Sequence, residues 1–483
     1  MRRDVSWVLL PGAGQRLVLA WIAIVAMAIV LRLASASGDF WLDEVVSLNL
    51  ARHFSAVEIV ASPEARHDNN HVLNTLYLRA VEGGAREGVY RALSIASGVA
   101  TVVLMGWIAG RRSRRAALLA AFLGSFSYIL VHYGSEARGY SLAAALGLAA
   151  WLVVERELAQ PGFRNRLGLA ILVALGYLAH YSFAFVYAGL VSWMWVHALR
   201  SDGPWTTRIG FFARQNAVPL GVSAAIYFLH VAPMHLAGGP EFGVGWALWS
   251  GLGESLGFQF HAGTTAAARW APAVALAMVA TECWLCLREG REDVAFLLGL
   301  LGVSSLGTVL VIRPEFVVPR YFFVAIPFVL IAVASLLDRG FSGGRAPRLA
   351  AWGAIAFMLL GSIPRDLALI DGGRGHYREA VEFMADHGGP VVSVSGTDPR
   401  WVRVLIDGYY AQFRPDVRFE VRESPGRSGG SPAQWYLDSN WARNYRAPEF
   451  VEPGDGRARY RFVEHYPFAS LSGWHWYLYR LEP

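Results

Sequence analysis

Residues 17–44 read LVLAWIAIVAMAIVLRLASASGDFWLDE, an apolar run that ends in two adjacent carboxylates. The run is close to the roughly 20 residues that a helix needs to cross a bilayer. It is longer than the apolar core of a cleaved signal, so we expect it to remain as a membrane span. The chain then leaves the bilayer at residues 39–44, where Asp43 and Glu44 follow Trp41, an aromatic residue typical of the membrane interface.

The composition of the whole chain is that of a membrane protein. Of its 483 residues, 54% are hydrophobic and 17% charged, and the mean hydropathy is +0.35. The net charge is +6, and every Lys/Arg-type basic residue is an arginine, because the chain has no lysine. The absence of lysine favours a GC-rich bacterial genome. We find no dense basic and aromatic patch, so the charge does not predict nucleic-acid binding.

We predict a polytopic α-helical protein with about 11 transmembrane helices. Arginines are concentrated in every second loop, which places the N-terminus in the cytoplasm and, with an odd number of spans, the C-terminal segment outside. The expected location is the plasma (inner) membrane of a bacterium. The predicted spans are approximately 17–36, 89–110, 116–131, 140–154, 167–181, 183–199, 216–233, 270–287, 294–312, 321–337 and 349–363.

Two outer regions are more than connections between spans. In loop 37–88, apolar residues at three- and four-residue spacing predict short amphipathic helices on the membrane surface, within 43–60 and 72–81. After residue 363 the pattern alternates between amphipathic helices and short strands, which predicts a small α/β domain. We therefore divide the chain into a membrane domain, 1–363, whose loop 37–88 contains the active site, and an extracytoplasmic domain, 364–483.

Reactive side chains are concentrated in the predicted outer loops, whereas the predicted span centres have almost no charge. Transporters place polar groups near the midplane, so this arrangement favours an enzyme cavity open to the outer face. An internal Glu136–Arg138 pair that tightens its turn, and Arg320 as a simple anchor, are the ordinary alternatives. We interpret His180 and His230 as interface residues. The outer set comprises Asp43, Glu44, His67, Asp68, Asn70, His71, Glu136, Arg138, Tyr140, Arg320 and Tyr321.

Group transfer from a lipid phosphate fits these residue types. Such a reaction needs a base for the acceptor, which Asp43 or Glu44 can supply, and positive charge on the departing phosphate, which Arg138 and Arg320 can supply. Acids paired with histidine can instead hold a divalent metal ion that does the same work on the phosphate. The ordinary alternative for the two acids is the first turn of a helix, where carboxylates favour the helix dipole.

The order and spacing of several short motifs resemble the GT-C superfamily of integral-membrane glycosyltransferases. The closest branch contains protein mannosyltransferase-like (glycosyltransferase family 39-like) and aminoarabinose transferase-like enzymes. The resemblance covers roughly residues 15–385 and is looser beyond them. Its motifs are Asp43-Glu44, HDNNHVLN at 67–74, Tyr90-Arg91, SEARGY at 135–140, Arg320-Tyr321 and HYREA at 376–380.

The resemblance implies a GT-C-like fold, a polyprenyl-phosphate sugar as donor, inversion of configuration, and Asp43 as the catalytic base with Glu44 as its substitute. It implies an acceptor in the cell envelope, which is a glycan, a lipid or a protein. At 69–72, Asn-Asn-His-Val replaces a double-proline pattern, which leaves the acceptor class and any metal open. The matching residues are Arg138, Arg320, Tyr321, Glu136 and Tyr140 for the donor phosphate, and Asp68, Asn70 and His71 for the acceptor or a metal.

Two other functions use the same features. A transporter or flippase for a lipid-linked glycan would use the outer cavity without chemistry. A non-catalytic scaffold would bind cell-wall glycan through its outer domain, and its outer carboxylates would be replaceable. The charge-poor span centres argue against the transporter, and the many reactive side chains around the first outer loop argue against the scaffold.

Overall fold

A computed structural model shows a mainly helical chain with one small sheet near its C-terminal end. It describes residues 14–66, 69–83, 86–234, 243–259, 265–303, 305, 307, 318–423, 431–442, 445–454, 456 and 458–483. Asp68 and His67 lie outside the described residues, as does most of the predicted outer turn 313–320. The chain forms two compact units. Unit 1 comprises Met1–Leu33, Ala56–Tyr77 and Arg91–Asp366, and unit 2 comprises Ala34–Ser55, Leu78–Tyr90 and Leu367–Pro483.

The regular elements in the described first half of the chain are all helices. The predicted amphipathic stretch 72–81 is one helix, whereas the predicted stretch 43–60 is divided into two helices at residues 54–55. Their position on a membrane surface stays a prediction. The helices are α1 Gly14–Ser35, α2 Leu42–His53, α3 Ala56–Ala61, α4 Pro63–Arg66, α5 Val72–Ala80, α6 Glu87–Ala109, α7 Arg114–Phe126, α8 Tyr128–Tyr133, α9 Tyr140–Ala159, α10 Phe163–Ala179, α11 Phe183–Arg200 and α12 Trp205–Ile226.

The second half adds further helices and then the sheet. One turn of π-helix, Tyr227–Val231, extends α12, and a second, Gly299–Val303, extends α15. A 3₁₀ helix, Pro319–Ala325, leads directly into α16. The helices are α13 Val244–Ser255, α14 Ala266–Arg288, α15 Val294–Leu298, α16 Ile326–Ser342, α17 Arg345–Gly372, α18 Tyr377–Gly388 and α19 Pro399–Gly408.

Five stretches of the described residues are helical, long and apolar enough to cross a membrane. They confirm the prediction of a polytopic α-helical membrane protein, since a 20-residue helix is about 30 Å long. The total number of spans stays a prediction, because several helices between α7 and α13 are shorter. The five are Gly14–Ser35, Glu87–Ala109, Ala266–Arg288, Pro319–Ser342 and Arg345–Gly388.

Unit 1 is a bundle in which small residues allow helices to approach closely. Gly147 of α9 faces Val186 of α11, where an added Cβ would lie 3.2 Å from the valine methyl groups. Trp151 and Trp193 of the same two helices pack with their ring centroids 5.0 Å apart. This mixture of glycine and large aromatic rings is the packing expected between helices in a membrane, where close van der Waals contact replaces the hydrophobic effect.

An ionic cluster around the buried carboxylate of Glu282 connects several helices of unit 1. Glu282 of α14 is buried and pairs with Arg112, in the turn after α6, and with Arg339 of α16 at 3.0 Å. Arg339 also pairs with Glu289, and the Cys286 thiol donates to Glu282 at 3.1 Å. Both carboxylate oxygens of Glu282 are therefore used. We call Arg112, Glu282, Cys286, Glu289 and Arg339 the Glu282 cluster.

Unit 2 contains a six-stranded mixed sheet, which confirms the predicted small α/β domain. The strand order is β2-β1-β3-β6-β5-β4, with β1 parallel to β2 and β3 and the other pairs antiparallel. Tyr436, Tyr460, Tyr477 and Tyr479 form a buried aromatic core on it. The strands are β1 Val391–Gly396, β2 Arg418–Val421, β3 Trp435–Asn440, β4 Phe450–Val451, β5 Tyr460–Tyr466 and β6 His475–Leu481.

The acidic stretch at residues 39–44 belongs to the same unit as this sheet. The Tyr410 hydroxyl donates to the Phe40 carbonyl at 2.5 Å, and the Arg378 amide donates to the Asp39 carboxylate at 2.7 Å. Arg374 donates to the Ser35 carbonyl at 3.0 Å. Residues after 367 thus fix the backbone of the acidic stretch. The predicted division of the chain at residues 363 and 364 stays a prediction.

Candidate active site

The SEARGY motif forms a buried turn between α8 and α9 of unit 1. The helix α8 ends at Tyr133, and the Ser135 hydroxyl donates to the carbonyls of Val131 and His132 at 2.9 and 3.0 Å. Gly139 is required here, because a Cβ on it would lie 2.0 Å from the Ala179 carbonyl oxygen. Every residue from 134 to 139 is buried, so its polar side chains must be satisfied within the protein or by a ligand.

Glu136 and Arg138 form an ion pair inside this turn. The Arg138 guanidinium lies 3.6 Å from one Glu136 oxygen, and His132 Nε2 lies 3.1 Å from the other. Both side chains of the Glu136–Arg138 pair are almost fully buried. The Glu136–Arg138 pair, the ordinary alternative that would only tighten the turn, is thus present. Its nitrogen–oxygen distance is long, and it is one contact of a larger cluster.

His71 connects the first outer loop to this turn. Arg138 Nε donates to His71 Nε2 at 3.0 Å, so Nε2 acts as an acceptor. The Gly139 amide donates to Nδ1 at 3.2 Å, and the ring also has a hydrogen bond to the Ala179 backbone. Burial, followed by the positive charge of Arg138, lowers the pKa of His71 well below its ordinary 6.5.

Aromatic rings surround His71 and Arg138. Tyr140 lies edge-on to His71 with ring centroids 4.9 Å apart, and the Arg138 guanidinium lies 5.0 Å from the Tyr140 ring. Tyr133 packs against Tyr140 at 4.7 Å. Burial raises the pKa of Tyr133 well above 10.0, so its hydroxyl stays protonated and available as a donor. The rings exclude water, which strengthens the electrostatic effect of the arginine.

Arg320 and Tyr321 of the late outer motif contribute to the same cluster. The positive charge of Arg320 also lowers the pKa of His71, and it opposes the rise in the pKa of Tyr133. The Tyr321 ring lies 6.2 Å from His180, whose ring lies 4.7 Å from His71. Two arginines predicted to bind phosphate are therefore in one electrostatic environment. We call His71, His132, Glu136, Arg138, Tyr140, His180 and Arg320 the His71 cluster.

Several buried polar atoms beside the His71 cluster have no hydrogen-bond partner among the described residues. They include Asn70 Oδ1, Asn74 Oδ1, Asn69 Nδ2 and His180 Nε2. Asn74 Nδ2 is satisfied by the Ala137 carbonyl at 2.7 Å, and Asn69 Oδ1 accepts from the Thr75 hydroxyl at 3.0 Å. Asn74 and Asn69 are thus each held by one polar atom and present another. Such atoms suit the hydroxyl groups of a ligand, since unpaired buried groups are costly.

Asp43 and Glu44 lie in unit 2 and differ from each other. Both are in the first turn of α2, where carboxylates favour the helix dipole. Glu44 is fully buried, and its carboxylate accepts from the Trp41 amide at 3.3 Å, as the third helical residue of a capping box does. Asp43 is partly exposed. The helix-terminal role that was the ordinary alternative for both acids therefore applies most directly to Glu44.

No group of three metal-ligating side chains occurs among the residues that the structure describes. Asp68, one of the three acceptor or metal candidates, lies outside them. Of the other two, His71 already uses Nε2 to accept from Arg138, a cation, and Asn70 has one unpaired oxygen. His71 is therefore better placed to orient Arg138 than to ligate a cation.

Part of this site does not follow from the sequence. His180, predicted to be an interface residue, is buried, accepts a hydrogen bond from the Ser182 amide at 3.0 Å and packs 4.4 Å from the Tyr140 ring. Asn69 and Asn74 were not predicted. The available signal was the break between two apolar helices at His180, which interrupts α10 and α11 with a polar residue. For Asn69 and Asn74 the signal was their position within the polar run itself.

Comparison with known proteins gives a likeness of structure only. No protein-family model and no curated protein matches the chain. Among solved structures, the chain is similar to the oligosaccharyltransferase of Archaeoglobus fulgidus, solved with Zn and sulfate, at 11% identity and a TM-score of 0.47 over 87% of this chain and 68% of that one. It is also similar to apo ArnT of Cupriavidus metallidurans, at 14% identity and a TM-score of 0.47 over 87% and 93%.

Proposed function

We propose that this chain is an inverting glycosyltransferase that moves a sugar from a polyprenyl-phosphate donor to an acceptor of the cell envelope. The observation that supports this most is the buried pair of Arg138 and His71 beside Arg320, with unpaired amide atoms next to it. Two cations in a water-poor environment suit an anion, and unpaired amides suit hydroxyl groups. A lipid-linked sugar phosphate has both.

The proposed reaction breaks the bond between the anomeric carbon and the phosphate oxygen of the donor. An acceptor oxygen attacks that carbon from the opposite face, which inverts its configuration, and the proton of the acceptor passes to Asp43. The bond electrons stay with the phosphate, which leaves as polyprenyl phosphate with one additional negative charge. Arg138 and Arg320 stabilise this charge, and no acid is needed for a leaving group that is already a good one.

His71 acts in this scheme as a positioning residue for Arg138. Because its Nε2 accepts from Arg138 Nε, it fixes the plane of the guanidinium. Its lowered pKa keeps the ring neutral, so it does not repel the arginine. Glu136, paired with Arg138 and His132, balances the positive charge when no ligand is bound.

Asp43 is the better candidate for the base of the two acids. Glu44 is buried and its carboxylate is used by the Trp41 amide, which gives it the role of fixing the first turn of α2. Asp43 is partly exposed and follows Leu42 in that turn. The proposed orientation remains that predicted from arginine placement, with the site on the extracytoplasmic side of an inner membrane.

The test is a transfer assay on purified full-length chain with radiolabelled polyprenyl-phosphate sugars and a membrane extract as acceptor source. Asp43→Asn keeps the size and polarity of the side chain and removes its basicity, so we expect transfer to fall by about 10² to 10⁴. Asp386→Asn, an exposed aspartate of α18 in the same unit, is the matched control. Equal transfer by both variants and the wild type would overturn the role of Asp43.

The transporter hypothesis makes the opposite prediction for the same variant. A flippase would move labelled lipid across vesicles, and Asp43→Asn would leave that movement unchanged. Transfer that depends on Asp43 therefore supports the enzyme. Lipid movement without any transfer product would favour the flippase.

A further inference from the structure

Unit 2 contains a second polar cavity of about 420 Å³, none of whose lining residues belongs to the His71 cluster. This volume falls within the range of about 300–1,000 Å³ that small-molecule sites occupy. Four separate chain segments form it, at residues 52, 86–90, 378 and 409–413. Its lining includes Arg52, Arg86 and Arg378, one carboxylate, Glu87, and the rings of Tyr409 and Phe413.

The lining has an excess of positive charge. Arg52 uses one nitrogen to donate to the Gly408 carbonyl at 3.0 Å, which fixes the side chain and leaves its other N–H groups for a ligand. Arg378 pairs with Glu382 at 2.9 Å and so is partly neutralised. Arg86 is exposed and has no ion pair among the described residues. Planar guanidinium groups of this kind recognise carboxylate and phosphate by paired hydrogen bonds.

The single carboxylate of the lining restricts the ligand further. Glu87 accepts from the Tyr409 hydroxyl at 2.8 Å, which holds it in place and leaves its remaining lone pairs for further donors. A simple anion such as phosphate would gain nothing from Glu87 and would be repelled by it. A neutral sugar would accept hydrogen bonds from the arginines but would not balance their positive charge. The lining therefore suits a ligand that has both hydroxyl donors and a negative charge.

The aromatic walls are rigid and suit a sugar ring. Tyr409 stacks on Phe40 with ring centroids 5.1 Å apart and is buried, and the Arg378 guanidinium lies 4.1 Å from the Phe413 ring. Since one face of each ring is already covered, only a limited apolar wall remains for the ligand. The weakly positive C–H groups of a sugar ring pack on such a wall, because aromatic faces are weakly negative.

We propose that this cavity binds an acidic sugar, a monosaccharide unit with a carboxylate or a phosphate group. Arg52 and Arg86 bind the anionic group, Glu87 accepts from hydroxyl groups, and the rings of Tyr409 and Phe413 pack on the sugar ring. The inference concerns binding alone, so it stands or fails independently of glycosyl transfer.

The test measures equilibrium binding to the full-length chain in nanodiscs of phosphatidylcholine only. The probes are glucuronate and glucose 6-phosphate, with glucose, inorganic phosphate and uridine monophosphate as comparisons. We expect at least one acidic sugar to bind at least about tenfold more tightly than all three comparisons, since one charged hydrogen bond changes affinity by that factor. Binding should also weaken with added salt.

Variants then locate the binding. Arg86→Gln, an exposed substitution that leaves the fold intact, should weaken binding about tenfold, and Arg52→Gln by a similar factor. Arg461→Gln is the matched control, because it removes an arginine of β5 that is 64% exposed and outside the cavity lining. Equal affinity for inorganic phosphate and glucose 6-phosphate, tighter binding of uridine monophosphate, or the same loss in Arg461→Gln as in Arg86→Gln would each overturn the proposal.

A final arm separates a free acidic sugar from a lipid headgroup with the same chemistry. Glucose 6-phosphate binding is repeated in nanodiscs that contain one-third phosphatidylglycerol. Unchanged affinity after correction for surface charge supports a sugar ligand. The opposite result has two parts: phosphatidylglycerol abolishes the binding of glucose 6-phosphate, and Arg86→Gln weakens the binding of phosphatidylglycerol itself. Together they would identify the lipid headgroup as the occupant and overturn the sugar assignment.

Discussion

Two buried ionic clusters of unit 1 have similar residue types and different degrees of satisfaction. In the Glu282 cluster, both oxygens of Glu282 are used by Arg112, Arg339 and Cys286. Beside the His71 cluster, amide atoms of Asn69, Asn70 and Asn74 and a ring nitrogen of His180 have no partner among the described residues. The first arrangement is complete without a ligand, and the second is not. Complete clusters stabilise a fold, whereas incomplete ones suit a ligand.

Among variants of the two clusters, the largest effect is expected from Arg138→Gln. It removes the cation that we assign to the leaving phosphate, so transfer should fall by about 10² to 10³. Arg138→Lys keeps the charge but loses the planar fork, so it should lie between the wild type and Arg138→Gln. The measurement is the transfer rate of protein that elutes as a folded, monodisperse species. A wild-type transfer rate in Arg138→Gln would contradict the assignment of Arg138 to the leaving phosphate.

The Glu282 cluster should respond in stability instead. Glu282→Gln removes a buried carboxylate that Arg112 and Arg339 share, while Glu289 still pairs with both arginines, so the loss of unfolding free energy should be about 1–3 kcal/mol. Denaturant unfolding of the detergent-solubilised chain measures this. Transfer per folded molecule should stay at the wild-type level. If Glu282→Gln is as stable as the wild type but impairs transfer, the Glu282 cluster has the functional role and not the stabilising one.

Asn70→Ala, beside the His71 cluster, separates an effect on ligand binding from an effect on stability. Because Asn70 Oδ1 has no partner among the described residues, its removal should leave the unfolding free energy within about 1 kcal/mol of wild type. The Michaelis constant for the donor or the acceptor should rise about tenfold, as for one lost hydrogen bond in a buried site. Thr75→Ala is the contrasting variant, since its hydroxyl is used by Asn69. A loss of stability in Asn70→Ala without any change in the Michaelis constants would contradict the assignment of Asn70 to ligand binding.

The smallest effect concerns pH. The pKa of His71 is lowered in the folded chain, so below about pH 6.5 the unfolded chain binds a proton that the folded chain does not. The His71 contribution to stability is therefore present above this pH and is lost as pH falls, by up to about 1.4 kcal/mol per unit. We expect the difference in unfolding free energy between wild type and His71→Asn to shift in this direction between pH 7 and 5. A pH-independent difference would show that His71 is not held neutral.

The sequence predicted the His71 cluster better than the Glu282 cluster, for a physical reason. Polar residues such as Glu136, Arg138 and His71 stand out when they fall in the loops between apolar spans, because a bilayer makes misplaced charge costly. Arg112 and Glu282 also stood in the sequence, but 170 positions separate them. Which helix faces place such residues together depends on packing, which hydropathy does not encode.

The same limit applies to unit 2. Alternating strands and amphipathic helices predicted the α/β domain after residue 363, because local periodicity determines these elements. The sequence did not predict that Ala34–Ser55 and Leu78–Tyr90 belong to the same compact unit. Contacts such as Tyr410 to Phe40 span 370 residues, and the arginine-rich cavity is likewise lined by residues from both ends of the chain. Tyr90 and Arg378 of its lining fall in motifs visible in the sequence, but no motif relates them to the other lining residues.

The most direct test of the central claim uses two arginines of one apolar stretch, Pro319–Ser342. Arg320 belongs to the His71 cluster and Arg339 to the Glu282 cluster. Binding of undecaprenyl phosphate to the folded fraction of each glutamine variant should weaken about tenfold for Arg320→Gln and stay unchanged for Arg339→Gln. Equal binding by the two variants would contradict the assignment of the His71 cluster to the lipid phosphate.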